Sequence, residues 1–290
     1  MLKALIKTMR IRQWPKNGFL FAALVFDRQF THLNALARTA AGFLLFCLLS
    51  SAVYIINDIM DVESDRQHPT KRNRPIASGR LPVPTAVAAA VVIVLFSLTL
   101  AYFLSLEFLV ILTSYFLINL AYSLWLKHVP LIDVLIIATG FVLRVGAGVS
   151  LIVVERFSPW LYMVTMLFAL YLGFGKRRAE LNLVANDPQA YRRVLEGYNV
   201  PLLDQLITIV SSTTIITYSL YTFSAPNLPA NHSMMLTIPF VLYGVFRYLY
   251  LIQIKQEGGA PEELLLKDRP LQLTILLFGL TVFAVLYLTV

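Results

Sequence analysis

Cysteine is nearly missing from the 290-residue chain: Cys47 is the single one. An intramolecular disulfide and a cysteine metal cluster are both excluded, and a lone thiol inside an apolar run reads as a small packing residue. Histidine is scarce as well, with four in the chain, and none of them, His68 and His128 included, stands at metal-ligand spacing. Charge is the third shortage. Charged residues make up 14% of the chain and hydrophobic ones 58%, at a mean hydropathy of +0.71, whereas an ordinary soluble domain is about a quarter charged. A composition this apolar predicts an all-α membrane protein that crosses the bilayer many times. Short-period repeats and low-complexity tracts are absent too. No linker is long enough to divide the chain, so residues 1–290 are read as one polytopic membrane domain.

A membrane helix needs about 20 mainly apolar residues. On that measure nine transmembrane helices are expected, over 17–31, 35–56, 83–104, 107–126, 131–153, 159–175, 201–223, 233–253 and 271–290. Asp27, Arg28 and Gln29 cut the first one short. Pro82, Pro84, Pro130, Pro159, Pro201 and Pro270 fall at or near span starts, where a missing N–H costs little. Residues 1–16 carry basic groups but no short apolar core with a small-residue cleavage site. They read as an interfacial amphipathic lead-in and not as a removable signal. A net charge of +8 would suggest nucleic acid in a soluble protein. Beside apolar spans it points instead to orientation and to anionic substrates, and no nucleic-acid partner is expected. With the N-terminus in the cytoplasm, only Arg28, Arg38 and Arg156 fall on the far side, and Arg144 and Arg247 lie within spans. The rest of the 24 Lys and Arg gather on the cytoplasmic side, a strong positive-inside signal.

Polar chemistry concentrates after the second span. The stretch NDIMDVESDRQHPTKRNRPIASGR, Asn57 to Arg80, sets Asp58, Asp61, Glu63 and Asp65 and then Arg66, Lys71, Arg72, Arg74 and Arg80 directly behind a membrane-length apolar run. On a helix Asp58, Asp61 and Asp65 share one face, with Asn57 one turn before Asp61. Glu63 points elsewhere, to solvent or to Arg66. Three carboxylates on one stripe repel unless a cation sits among them. Magnesium suits that place, because it prefers hard oxygen ligands and is commonly shared between carboxylates and substrate phosphates. Ionisable groups at the mouths of membrane helices are costly and mostly functional. Lys71, Arg72 and Arg74 follow closely enough to neutralise a diphosphate, and Lys71 and Arg74 are read as substrate-binding, with attraction to anionic lipid as the plainer alternative. Further on, Lys176, Arg177 and Arg178 with Glu180 form a run that binds anions or simply anchors the chain. Tyr122 and Lys127 close the fourth span and Asp133 opens the fifth. Arg144, deep in the fifth, needs a carboxylate or a phosphate as partner.

Five strings carry a likeness that runs almost end to end: RQWPKN at 12–17, NDIMDVESDRQHPTKRNRPIASG at 57–79, YSLWLKH at 122–128, GFGKRRAEL at 173–181 and GGAPEELLLKDRPLQ at 258–272. Together they resemble the UbiA superfamily of intramembrane transferases, in particular its branch of polyprenyl-phosphate phosphoribosyltransferases. The resemblance implies a nine-helix bundle with a cytoplasm-facing polar cavity, in the bacterial cytoplasmic membrane, with the N-terminus and active site on the cytoplasmic side. It implies a Mg2+-dependent pentosyltransferase that moves the 5-phosphoribosyl group of 5-phosphoribosyl 1-diphosphate (PRPP) to a polyprenyl phosphate such as decaprenyl phosphate and releases diphosphate, in the supply of cell-wall precursors. By the same resemblance Asp58, Asp61 and Asp65 hold the metal and, with Lys71 and Arg74, form the catalytic set. Lys16, Asn17, Asn57, Arg72, Tyr122, Lys127, Lys176, Arg177, Arg178 and Glu180 bind substrate, Lys16 and Asn17 by pointing into the cavity.

Ordinary members of the superfamily carry a second aspartate motif after the sixth span. The cations of 176–178 in its place favour two separately phosphorylated substrates over the rival within the enzyme class, prenyl transfer from a prenyl diphosphate to an aromatic acceptor. A transporter is the more distant alternative, since the polar groups gather on one side only. A homo-oligomer stays open, because exposed and buried faces of membrane helices are both apolar.

Overall fold

The computed structural model describes residues 1–154, 158–186, 193–257, 261, 264 and 267–288, with 184–186 and 193 described by backbone alone. Arg156, Arg192 and much of the 258–272 string therefore lie outside the described residues. Among those described, the chain is helical throughout and no strand occurs. It packs as two compact units, one of Met1–Val25, Gln29–Leu124 and Leu143–Val153 and the other of Phe26–Arg28, Trp125–Val142 and Val154–Val290.

The first unit begins with α1 (Leu2–Thr8), turns at Arg10 in the left-handed region (φ 52°) and continues as a 3-10 helix, Ile11–Leu20, into the short α2 (Phe21–Phe26). The stretch 17–31 is therefore not the single α-helical span expected from hydropathy. Pro15 lacks the N–H that an α-helical turn would use, and tighter 3-10 turns accommodate it. Arg28, at φ 56°, follows the end of α2. The axis of the unit is α3 (Leu33–Met60), which continues through α4 (Val62–Gln67) and a 3-10 turn (Lys71–Asn73) to α5 (Val83–Leu104) and α6 (Leu106–Leu124). α3 packs on α5, on α6 and on the 3-10 helix Ile11–Leu20.

Lipid tails are as apolar as leucine, so close fit holds membrane helices together rather than exclusion of water. The buried positions of α5 are small, Ala86, Ala90, Ser97 and Ala101, and they repeat at helical spacing so that α3 can approach. On the opposite face Val91, Val92, Leu95 and Phe96 are exposed. Leu20, Phe46, Leu49, Phe108 and Leu112 close the core, joined by Ala147 and Leu151 from α7 (Ile132–Val149) and the residues after it. Gly148 makes the tightest approach, for a Cβ there would stand 2.0 Å from the backbone O of Leu20.

In the second unit α8 (Pro159–Asn186) packs chiefly on α9 (Val200–Ser224), and α10 (Ile238–Gln253), led by a 3-10 turn (Ser233–Thr237), packs on α11 (Arg269–Tyr287). Val134, Ala138, Tyr171, Leu203, Ile207 and Ile252 form its centre. Prolines mark the helix starts as expected: Pro201 and Pro270 sit in first turns, where Asn199 and Asp268 cap the chain through Leu202 N (2.8 Å) and Leu271 N (2.9 Å). Among the described residues seven helical segments are long and apolar enough to cross a membrane: α3, α5, α6, α7, α9, Ser233–Gln253 and α11. α8 begins where the sixth span was expected but does not stop at residue 175. Lys176, Arg177, Arg178 and Glu180 lie on the helix and not in a loop after it. Lys, Arg, Ala, Glu and Leu are all good helix formers, and nothing after Gly175 breaks the pattern.

Gly148→Ala is expected to destabilise the detergent-solubilised protein by about 1–3 kcal/mol, as overpacking does, and so to lower its melting temperature. Gly279→Ala, whose Cβ meets nothing within 4 Å, should not.

Candidate active site

The last turn of α3 delivers Asp58, and Asp61 (φ −91°, ψ 6°) joins α3 to α4. The joint keeps the helical register, since Asp61 N donates to Asn57 O (3.0 Å) and Asp65 N to Asp61 O (2.8 Å). Asp58 and Asp65 consequently remain on one face, each only 3% exposed. Arg74 returns from the loop to bind both, its Nη1 donating to Asp65 Oδ2 at 2.7 Å and to Asp58 Oδ1 at 3.1 Å. Arg10 donates through Nη2 to the same Asp58 Oδ1 at 2.6 Å, with its guanidinium 4.9 Å from the centre of the Tyr54 ring. A buried carboxylate costs several kcal/mol unless it is paired. The cation that the aspartate stripe requires is thus supplied by the protein's own arginines. Asp61 is half-buried. Glu63 points away and pairs with Arg66 in solvent at 2.7 Å. Asn57 Oδ1 is buried without a hydrogen-bond partner, an orphan that costs about 1–3 kcal/mol.

A second polar layer lies deeper in the same unit. Asn17 is 1% exposed. Its Nδ2 donates to Cys47 Sγ (3.1 Å) and Ser50 Oγ (3.2 Å), and its Oδ1 accepts from Arg144 Nε at 2.7 Å. Arg144 Nη2 donates to the Tyr115 hydroxyl at 3.0 Å, and the guanidinium stacks on the Tyr115 and Phe46 rings. Trp14 Nε1 donates to Ser51 Oγ (3.0 Å). These bonds fasten the 3-10 helix, and with it the half-buried Lys16, to α3. Arg144, left by sequence between a carboxylate and a phosphate, meets an amide and a phenol. Both ends of the Asn17 amide serve this network, so the structure displays Asn17 as a brace. Of the remaining candidates in this unit, Lys71 and Tyr122 are half-buried and Arg72 is exposed.

The second unit holds its own charged network. Arg177, 3% exposed, donates through Nε to the fully buried Asp133 Oδ2 (2.6 Å) and through Nη1 to Glu180 Oε2 (2.5 Å). The Tyr198 hydroxyl donates to Asp133 Oδ1 (2.6 Å) and accepts from Leu131 N (2.6 Å). Burial pushes the Tyr198 hydroxyl above the ordinary tyrosine value, and its bond to the Asp133 carboxylate adds to the rise. Arg178 binds Asp204 Oδ1 at 2.5 Å. Two of the three cations read as an anion seat are therefore engaged by internal carboxylates, while Lys176 and Lys127 are half-buried. Asp268, the cap of α11, pairs with Arg247 at 2.7 Å, which holds its carboxyl below the usual carboxylate range.

Arg10, Tyr54, Tyr198 and Asp204 escaped the sequence reading. Arg10 and Asp58 are 48 residues apart, and no local spacing signals their meeting. Among the described residues no three His, Cys, Asp or Glu side chains are gathered as a metal-binding group.

A many-span helical protein with carboxylates and arginines knotted at the end of a membrane helix has the build of an intramembrane transferase. The chain belongs to the UbiA prenyltransferase family, whose sequence profile matches residues 18–267. A decaprenyl-phosphate phosphoribosyltransferase of Mycolicibacterium smegmatis is 32% identical, over 99% of this chain and 93% of that protein. The protein of the same name from Corynebacterium glutamicum is 31% identical, over 98% of this chain and 87% of its own length. Among solved structures, a UbiA homolog from Archaeoglobus fulgidus bound to DMAPP and Mg2+ shares the fold with a TM-score of 0.74 at 20% identity, over 97% of this chain and 98% of that one.

Arg177→Ala strands the buried Asp133 and is expected to cost about 3–5 kcal/mol, whereas Tyr198→Phe, which leaves the ion pair, should cost about 1–3 kcal/mol; melting in detergent ranks the two. The depressed carboxyl of Asp268 contributes stability above the ordinary aspartate value of about 3.9 and loses it as pH falls through its lower folded value. The melting temperature should therefore fall on acidification below about pH 4, and less so in Arg247→Gln.

Proposed function

We propose that the chain transfers the 5-phosphoribosyl group from PRPP to a polyprenyl phosphate and releases diphosphate. The observation that carries this reading is the similarity to phosphoribosyltransferases of that name along 98–99% of the chain. A divalent metal fits the end of α3: the donors are hard carboxylates, and the orphaned Asn57 Oδ1 lies next to Asp58 in the chain. Asp58, Asp61 and Asp65 would hold Mg2+, which when bound neutralises the leaving diphosphate.

The chain's own residues do the rest. Arg74 and Lys71 bind diphosphate oxygens and stabilise the charge that separates as the anomeric carbon turns cationic, and a donor fixed in place by buried carboxylates needs little reorganisation. The attacking phosphate monoester is already anionic near neutral pH, so no general base is called for. Direct displacement inverts the anomeric centre. Lys16, Arg72, Tyr122 and Lys127 complete the set of substrate contacts. Asn17 acts by bracing Lys16. In the second unit Lys176 takes an anionic substrate group, with Arg177, Arg178 and Glu180 fixing the helix that bears it.

Nine spans remain the reading of the bundle. Ile11–Phe26 and α8 add two helical stretches to the seven long apolar segments. The skewed Lys and Arg supports a cytoplasmic N-terminus and a cytoplasm-facing cavity in a bacterial inner membrane, with the product entering cell-wall precursor synthesis.

The test is purified protein with Mg2+, PRPP labelled in the ribose and decaprenyl phosphate. Label should pass into the lipid phase with inversion. EDTA should abolish the transfer, Asp61→Ala should cut it by about 100-fold or more (~2.7 kcal/mol or more), and a prenyl diphosphate with an aromatic acceptor should yield no product. Absence of lipid-soluble label overturns the assignment.

A further inference from the structure

The carboxylate that a metal would need most directly, Asp58, already carries two arginines on a single oxygen. Arg10 Nη2 lies 2.6 Å from Asp58 Oδ1 and Arg74 Nη1 lies 3.1 Å from it, while Asp65 Oδ2 takes Arg74 at 2.7 Å. Loss of Arg10 would still leave Asp58 paired with Arg74, whereas loss of Arg74 would leave Asp65 without this ion pair. The placement of Arg10 differs from that of Arg74. The Arg10 side chain is 34% exposed, much as the 29% of Arg74, but its guanidinium is supported by the Tyr54 ring, a contact that does not depend on the carboxylate. Its backbone occupies the left-handed region (φ 52°, ψ 51°) at the joint between α1 and the 3-10 helix, a conformation retained by a non-glycine residue only where the surroundings impose it.

Formal charges state the difficulty. Asp58, Asp61 and Asp65 balance Arg10 and Arg74 with one negative charge left over; a divalent cation entering the aspartates turns the surplus positive. An incoming diphosphate carries more negative charge than that surplus, so it calls on every cation nearby, and a planar guanidinium suits its oxygens. We propose that Arg10 is a diphosphate-binding residue that exchanges Asp58 for the donor's diphosphate as the metal enters, so that metal and diphosphate are taken up together. This rests on the reading of Asp58, Asp61 and Asp65 as metal ligands. Arg10 is at once a competitor of the metal for Asp58 and, once the metal has bound, a ligand of the substrate.

Two binding measurements on the detergent-solubilised full chain separate these roles. Mn2+ alone, followed by electron paramagnetic resonance, should bind Arg10→Gln at least threefold more tightly than the wild type, because its competitor is gone. Radiolabelled inorganic diphosphate at saturating Mg2+ should bind the same variant at least tenfold more weakly. Arg10→Lys keeps the charge but not the fork, so it should bind Mn2+ as the wild type does and still bind diphosphate more weakly; it also serves if Arg10→Gln melts early. Arg66→Gln, which removes an exposed ion pair with Glu63 and no contact to the aspartates, should match the wild type in both. Weaker Mn2+ binding by Arg10→Gln, or undiminished diphosphate binding by both variants, overturns the exchange. A wild type that binds Mg2+-diphosphate not at all overturns the metal reading beneath it instead.

Discussion

Asp58 and Asp65 are buried at the end of a membrane helix and share one arginine, and the local architecture of the first unit follows from the cost of keeping them there. Two carboxylates out of water need cations with good geometry. Arg74 can meet both only because the bend at Asp61 preserves the helical register, and because the loop after α4 folds back through its 3-10 turn. The second cation, Arg10, fixes the N-terminal turn against α3. Below it the 3-10 helix is braced by Trp14 and Asn17, and Asn17 by Arg144. Charge pairing at the membrane surface and hydrogen bonding in its interior thus hold one segment that has too little apolar length to hold itself.

The second unit solves a similar problem with different parts. Asp133 is fully buried and receives Arg177 and the Tyr198 hydroxyl, so the charged end of α8 is locked to the start of α7. Gly173 and Gly175 face Val134 and Ile252 so closely that a Cβ would stand 2.5 and 2.6 Å away. Gly173 thus lets α8 approach the start of α7, where Asp133 receives Arg177.

Span-by-span hydropathy was sufficient to locate α3, α5, α6, α7 and α9 to α11, because the bilayer sets their length and prolines mark their starts. Over 17–31 it did not foresee a 3-10 helix running into a short α-helix, where Pro15 and side-chain hydrogen bonds to α3 shape the backbone, nor that α8 continues past its last apolar turn on helix propensity and ion pairs. The aspartate stripe was legible because its spacing is helical and local. Its counter-ions were not. Arg10 is distant in sequence, and reading Arg177 and Arg178 as an anion seat overlooked Asp133 and Asp204, whose partnership with them is set by packing alone.

The central claim is that Arg74 and the buried aspartates form one coupled unit before any ligand arrives. A double-mutant cycle of Asp65→Asn and Arg74→Gln, read as unfolding free energy in detergent without metal, tests it most directly. Coupling of about 1 kcal/mol or more, with the double variant more stable than the sum of the singles implies, is the predicted result. Strict additivity would contradict it.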